Sequence, residues 1–83
     1  MYYVYALYSE KFDKIYIGYS SDVNRRLASH NHKNNTHWTS HFQPWIIIYS
    51  EKYESKALAM KREKQLKSFR GRQFIRDLIL KKR

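Results

Sequence analysis

Cysteine is absent from all 83 residues. That excludes disulfides, thiolate metal sites and a cysteine nucleophile, and it fits a cytoplasmic setting. No apolar run approaches the roughly 18 residues that a membrane span needs, so no membrane partner is expected. The start, Met1-Tyr2-Tyr3-Val4-Tyr5, puts no basic residue ahead of an apolar stretch and does not read as a secretory leader. Acids are scarce: 7 Asp and Glu stand against 17 Lys and Arg, for a net charge of +10. Such a surplus on a small domain points to a polyanion, and nucleic acid is the commonest one. An anionic membrane surface fits less well, because the aromatic residues are spread along the chain and not gathered on one basic helix. The length predicts one domain over 1–83 with a modest core.

Tyr2–Tyr8 is rich in Tyr and Val, which suit a pleated surface, and reads as a strand. Ser9–Asp13 is a polar turn, and Lys14–Tyr19 is a second strand that completes an antiparallel hairpin. Gly18 inside that strand marks a bulge or a close backbone approach. Ser20-Ser21-Asp22 offers N-caps for a helix in which Val23 and Leu27 form a short buried stripe. Arg26 and His30 are four apart and project from one face of it. His30–His41 is polar, lacks periodicity and reads as a loop. After Pro44, the apolar run Trp45–Tyr49 predicts a buried strand. Ser50–Ser55 turns the chain, with Ser55 as an N-cap. Lys56–Phe69 is built of good helix formers, and Gly71 is expected to end that helix. Gln73–Leu80 predicts a last short helix through Phe74, Ile75, Leu78 and Ile79, followed by a frayed Lys81–Arg83 tail. The order β-β-α-β-α-α predicts an α+β fold: a three-stranded antiparallel sheet flanked by helices.

Glu63 stands out as a candidate for chemistry. It lies three after Met60, four after Ala59 and three before Leu66, on the apolar face of its helix. The other charges there, Lys56, Lys61, Arg62, Lys64 and Lys67, are all basic. A carboxylate in that position needs a partner. The partner is either a Lys or Arg counter-ion or a divalent cation, since Mg²⁺ is commonly held by one or two carboxylates plus waters and phosphate. Tyr5 and Tyr16 fall on neighbouring strands, where their hydroxyls can meet on one face. With eight tyrosines in the chain, simple packing is the competing reading for each. His37 and His41 have a spacing found in zinc sites and His32 lies nearby, but no cysteine supports that reading. Phosphate contact or plain exposure is the expectation for all three.

Tyr3-Val4-Tyr5 followed by Tyr16-Ile17-Gly18 resembles the paired motif that names the GIY-YIG nucleases. The second half matches letter for letter. The first carries Tyr3 and Val4 where the family name has Gly and Ile, as many small stand-alone bacterial members do. Arg26 follows Tyr16 by ten residues and His30 comes four later, intervals similar to those of the family helix. Lys61–Lys67, with Glu63 inside it, is similar to the segment that supplies the family's metal-binding carboxylate. The resemblance runs from Tyr2 to about Phe69 and is strongest to the small URI-type branch.

The resemblance implies a metal-dependent endonuclease that hydrolyses phosphodiester bonds in nucleic acid, with DNA expected, using one Mg²⁺ or Mn²⁺ ion on Glu63. Tyr16 would assist activation of the attacking water and Tyr5 would orient groups beside it. Arg26 would grip the phosphate, because a guanidinium can hold two non-bridging oxygens at once. His30 would accept or relay a proton. Arg25, Lys61, Lys64, Lys67, Arg70 and Arg72 would supply sequence-independent backbone affinity. There are two further departures. Tyr19 stands where some repair-type relatives carry Lys, and the family's Asn beyond the metal Glu has no counterpart, with Gln73 the available substitute. The alternative, from another class, is a basic nucleic-acid-binding module without cleavage. Larger relatives delegate targeting to appended domains, so specificity is expected from substrate shape or from a targeting partner protein.

Overall fold

In the computed structural model, which describes residues 1–82, the predicted hairpin is formed by β1 (Tyr2–Ser9) and β2 (Lys14–Ser20). Asp13 reverses the chain at φ 53°, a left-handed conformation that Asp tolerates better than most residues. β3 (Ile46–Tyr53) pairs antiparallel with the other side of β1, so the sheet order is β2-β1-β3. The central place of β1 explains why Val4 to Ser9 are all buried. The helices are α1 (Val23–Asn31), α2 (Lys56–Leu66) and α3 (Phe69–Lys81), with a short 3-10 helix at Trp38–Phe42. The expected α+β class and β-β-α-β-α-α order hold.

Alternation along the strands divides the sheet into two faces. Val4, Ala6, Tyr8, Ile15, Ile17 and Ile48 pack on Ala59 and Leu66 of α2 and on Ile75 and Ile79 of α3. Tyr5 and Leu7 take the other face with Trp45, covered by Val23 and Leu27 of α1 and by Phe42. The β1–β3 register shifts between Ala6 and Leu7, whose partners are Tyr49 and Ile47. Ile48 is therefore the extra residue of a bulge, and it turns into the first core.

Several boundaries differ from expectation, each for a physical reason. Ser50–Tyr53 is strand and not turn, because Tyr2–Tyr5 offers it an unpaired edge. There Glu51 accepts the Tyr49 and Tyr53 hydroxyls and pairs with Arg62 of α2 at 2.8 Å. Burial alone would raise the Glu51 carboxyl, but the bonds from Arg62 and the two tyrosines hold it below its ordinary value. Trp45 sits just ahead of β3, where the Asn31 amide bonds both its N–H and its carbonyl, at 2.7 and 2.9 Å.

Gly71 does not end a helix. α2 stops at Leu66, Ser68 caps α3, and Gly71 lies in the first turn of α3. A Cβ there would sit 2.4 Å from both the Gln65 carbonyl oxygen and Leu66 Cα, so the bare glycine permits the tight corner between the helices. The polar loop also begins later than predicted and folds in part, as the Trp38–Phe42 helix. At the C-terminus α3 continues through Lys81, and Lys82 Nζ donates to the Ile48 carbonyl at 3.1 Å. Of the expected frayed tail, Arg83 lies outside the described residues.

Candidate active site

Hairpin register brings the first two side chains together. Tyr5 lies opposite Gly18 and Leu7 opposite Tyr16, so the two tyrosines are diagonal neighbours on one face. Their ring centroids are 6.3 Å apart. Gly18 makes this possible: a Cβ there would lie 2.7 Å from Tyr5 Oη and 3.0 Å from Tyr16 Cε1. The glycine signals a close approach, here of two rings onto a bare backbone.

α1 adds the next pair. Asp22 caps it by accepting the Arg25 N–H at 3.0 Å, which sets Arg26 and His30 on one face above the tyrosines. His30 is only 4% exposed, and its ring lies 4.5 Å from that of Tyr16. Its Nε2 is 3.4 Å from Tyr5 Oη and its Nδ1 is 2.9 Å from Thr39 Oγ1. Thr39 is buried, and its oxygen already accepts from Asn35 Nδ2 at 2.8 Å. The Thr39 hydroxyl and His30 Nδ1 thus share a buried hydrogen bond, and the other ring nitrogen, Nε2, faces Tyr5. Burial, then the positive charge of Arg26 and His37, pushes the His30 pKa down to about 4. The ring is thus neutral at pH 7. Contact with the Tyr5 hydroxyl raises the Arg26 pKa, while burial raises that of Tyr5 against the pull of Arg26.

α2 completes the site from the other side of the sheet. Tyr5, Tyr16, Gly18, Tyr19, Ser20, Arg26 and Glu63 line one cleft of about 330 Å³. Tyr16 and Tyr19 belong to opposite faces of β2, so the cleft sits at the open edge of that strand, between α1 and α2. Glu63 lies beside the buried stripe and not within it. Ala59 and Leu66 are buried, Met60 is 47% exposed, and the Glu63 side chain is 20% exposed. Lys67 Nζ approaches the Glu63 carboxylate at 3.7 Å, but Lys67 is itself 49% exposed. A solvated i,i+4 pair is worth only about 0.3–0.5 kcal/mol, too little to commit the carboxylate.

A single carboxylate beside hydroxyls, in a cleft open to solvent, fits a hard cation that keeps waters and takes phosphate oxygens as its remaining ligands. His32, His37 and His41 offer nothing comparable: among the described residues no three His, Cys, Asp or Glu side chains converge as a metal site.

The predicted basic set separates. Lys67 and Arg72 line a second groove that shares Tyr16 with the cleft. Arg25 lines a different depression with His32 and Asn35, while Lys61, Lys64 and Arg70 are exposed and line neither the cleft nor the groove. Gln73 donates to Asp77 at 3.2 Å and is not part of the cleft wall. Thr39, Lys14 and Trp38 were not anticipated. Lys14 carried a usable signal, since it precedes Tyr16 by two on one strand and so shares its face. Thr39 carried none.

A family model of the GIY-YIG catalytic domain matches residues 1–74. A UPF0213 protein of Staphylococcus haemolyticus is 35% identical over 63 residues, covering 76% of this chain and 77% of its own. A UPF0213 protein of Staphylococcus aureus is 38% identical over 55 residues, covering 66% and 67% respectively. The solution NMR structure of a UPF0213 protein from Bacillus halodurans matches with a TM-score of 0.54 at 30% identity, covering 94% of this chain and 85% of that one.

Proposed function

The chain belongs to the GIY-YIG catalytic-domain family, and from that premise we propose that it is an endonuclease hydrolysing phosphodiester bonds in nucleic acid, with DNA as substrate and one Mg²⁺ or Mn²⁺ ion as cofactor. The observation that carries the proposal is the shared cleft. Tyr5, Tyr16, Arg26 and Glu63 come from β1, β2, α1 and α2 and line the same 330 Å³.

Hydrolysis adds water at phosphorus, breaks one P–O bond and leaves charge on the phosphoryl oxygens and the departing oxygen. Arg26, exposed on the cleft wall, is suited to hold the non-bridging oxygens as that charge grows. Tyr16 is only partly buried, so its hydroxyl can orient the attacking water and take part in moving its proton. Tyr5 is fully buried, and its oxygen faces Arg26 and His30 Nε2. Tyr5 thereby orients Arg26, and His30, fixed by Thr39, orients Tyr5. Glu63 would hold the divalent ion. When bound, that ion would supply Lewis-acid stabilisation of the phosphoryl and leaving-oxygen charge.

Among the described residues no helix is long and apolar enough to cross a membrane. A cytoplasmic setting belongs to the same proposal and is supported by the cysteine-free sequence. The position of Gln73 outside the cleft is the observation that favours a non-cleaving binder. The test is incubation of the protein with labelled single-stranded, duplex and branched DNA, and with RNA, in Mg²⁺, Mn²⁺ or EDTA. Product in either metal and none in EDTA is the expected result. Tight binding with no product under any condition would establish the binder instead.

A further inference from the structure

The groove beside the cleft has a composition of its own. It holds about 540 Å³ and is lined by Lys14, Lys67, Arg72, Arg76, Tyr16 and Trp38, among others. The one acid on its wall, Asp13, lies 2.6 Å from Arg76, so the remaining cations give the groove a net positive face. Trp38 is 50% exposed, although its ring is backed by Phe42 at 4.9 Å and by Trp45 at 6.0 Å. Trp45 is anchored in turn, since its Nε1 donates to the Thr39 carbonyl at 2.8 Å. Trp45 also touches Tyr16, with centroids 6.5 Å apart, so a short chain of rings joins Trp38 to the cleft. Lys14 Nζ stands 5.3 Å over the Phe42 ring, which sets a cation beside the aromatic surface.

A half-exposed indole backed by two other rings offers a flat face on which a planar group can stack. Here it sits among cations, next to the cleft proposed above to receive a phosphate. We propose that this groove binds an unpaired stretch of nucleic acid. Its phosphates run along Lys14, Lys67 and Arg72, and a base near the scissile phosphate stacks on Trp38. The inference rests on the nuclease reading and adds the substrate class: single strands or locally unpaired sites. Base faces in a duplex are buried against one another, so only an unpaired or extruded base can lie on an indole. Stacking accepts any base, so the groove selects for strandedness and not for sequence.

The experiment measures binding in EDTA, where no cut is expected, of a fluorescein-labelled single-stranded DNA oligonucleotide and of the same sequence as a duplex. Trp38→Ala should weaken single-strand binding by about 5- to 100-fold, the range for loss of one base–aromatic stack, and change duplex binding less than about twofold. Trp38→Phe should recover most of the loss. Because Trp38→Ala could disturb the Trp38–Phe42 helix, a second readout uses the unaltered protein. It has two tryptophans, of which Trp45 is buried, so unlabelled single strand should quench the Trp38 emission and Trp38→Phe should abolish that quenching. Equal losses on single strand and duplex, or no quenching in the parent, would overturn the inference. Cleavage is scored separately. A protein that cuts nothing yet binds single strands through Trp38 keeps this inference and removes the nuclease reading. An active nuclease whose Trp38→Ala variant keeps the parent's strand preference removes this inference alone.

Discussion

Gly18→Ala should damage the cleft more than the fold. The added Cβ would lie 2.7 Å from Tyr5 Oη, 2.9 Å from Tyr5 Cζ and 3.0 Å from Tyr16 Cε1. Ordinary carbon contacts are about 3.5–4.0 Å, so the rings must give by roughly 0.5–1 Å. Tyr16 is only partly buried and can swing. Tyr5 is fully buried, packed with Leu7 and Trp45 and facing His30, so its shift strains the second core. Overpacking of this kind costs about 1–3 kcal/mol. A displacement near 1 Å in a reacting constellation costs on the order of 100-fold in rate. The assay is cleavage rate beside thermal melting, at a temperature where the variant remains folded. In a Tyr5→Phe background the shortest contact is gone, so the stability penalty of Gly18→Ala should shrink. Unchanged turnover in the single variant, or an equal penalty in both backgrounds, would refute the reasoning.

Tyr16→Phe keeps the ring and should lower the cleavage rate by about 100-fold with little change in melting temperature, the usual scale for lost acid–base help; a large melting loss with normal turnover would assign Tyr16 to packing. His30 has a folded pKa of about 4 against an ordinary 6.5, so the unfolded chain takes up the proton first as pH falls. Its contribution is complete above about pH 6.5 and is lost on going down toward pH 4, by up to about 3 kcal/mol, and melting from pH 7.5 to 4.5 should be flatter in His30→Gln than in the parent. Ser9 is fully buried and its hydroxyl has no hydrogen-bond partner among the described residues, so Ser9→Ala should be neutral or stabilise by up to about 1 kcal/mol. A clear fall in melting temperature would contradict that.

The strands and helices were legible where a local pattern has one meaning. The Tyr- and Val-rich start reads as a strand and is one, and Ser55 caps α2 by accepting from Leu58 at 3.2 Å, as its position suggests. Gly71 carries an ambiguous signal. A glycine after a helical run announces that a side chain would not fit, but the obstacle here is the backbone of the preceding helix and not a left-handed cap. The β3 boundary was hidden because Ser50-Glu51-Lys52 is polar, and its pairing depends on β1, more than forty residues earlier. In the site, Tyr5 and Tyr16 follow from strand register, and Arg26 and His30 follow from helical spacing. The burial of His30 does not, because Thr39 covers it from a loop with no periodicity. The groove was half legible: Lys67 and Arg72 were expected on charge alone, but Trp38 acquires meaning only from the rings packed behind it.

The central claim is that Glu63 serves the chemistry of the cleft and not the stability of α2, and the cleavage rate of Glu63→Gln in Mg²⁺ tests it most directly. Lys67, its counter-ion at 3.7 Å, is half exposed, so removing the charge should cost no more than about 0.5 kcal/mol and leave the fold intact. A carboxylate facing phosphate repels it when no cation is bound, so the variant should bind DNA in EDTA as tightly as the parent or more tightly. The predicted result is a folded, binding variant that yields no product at any Mg²⁺ concentration at which the parent cuts. Cleavage by Glu63→Gln at the parent's rate would contradict the account.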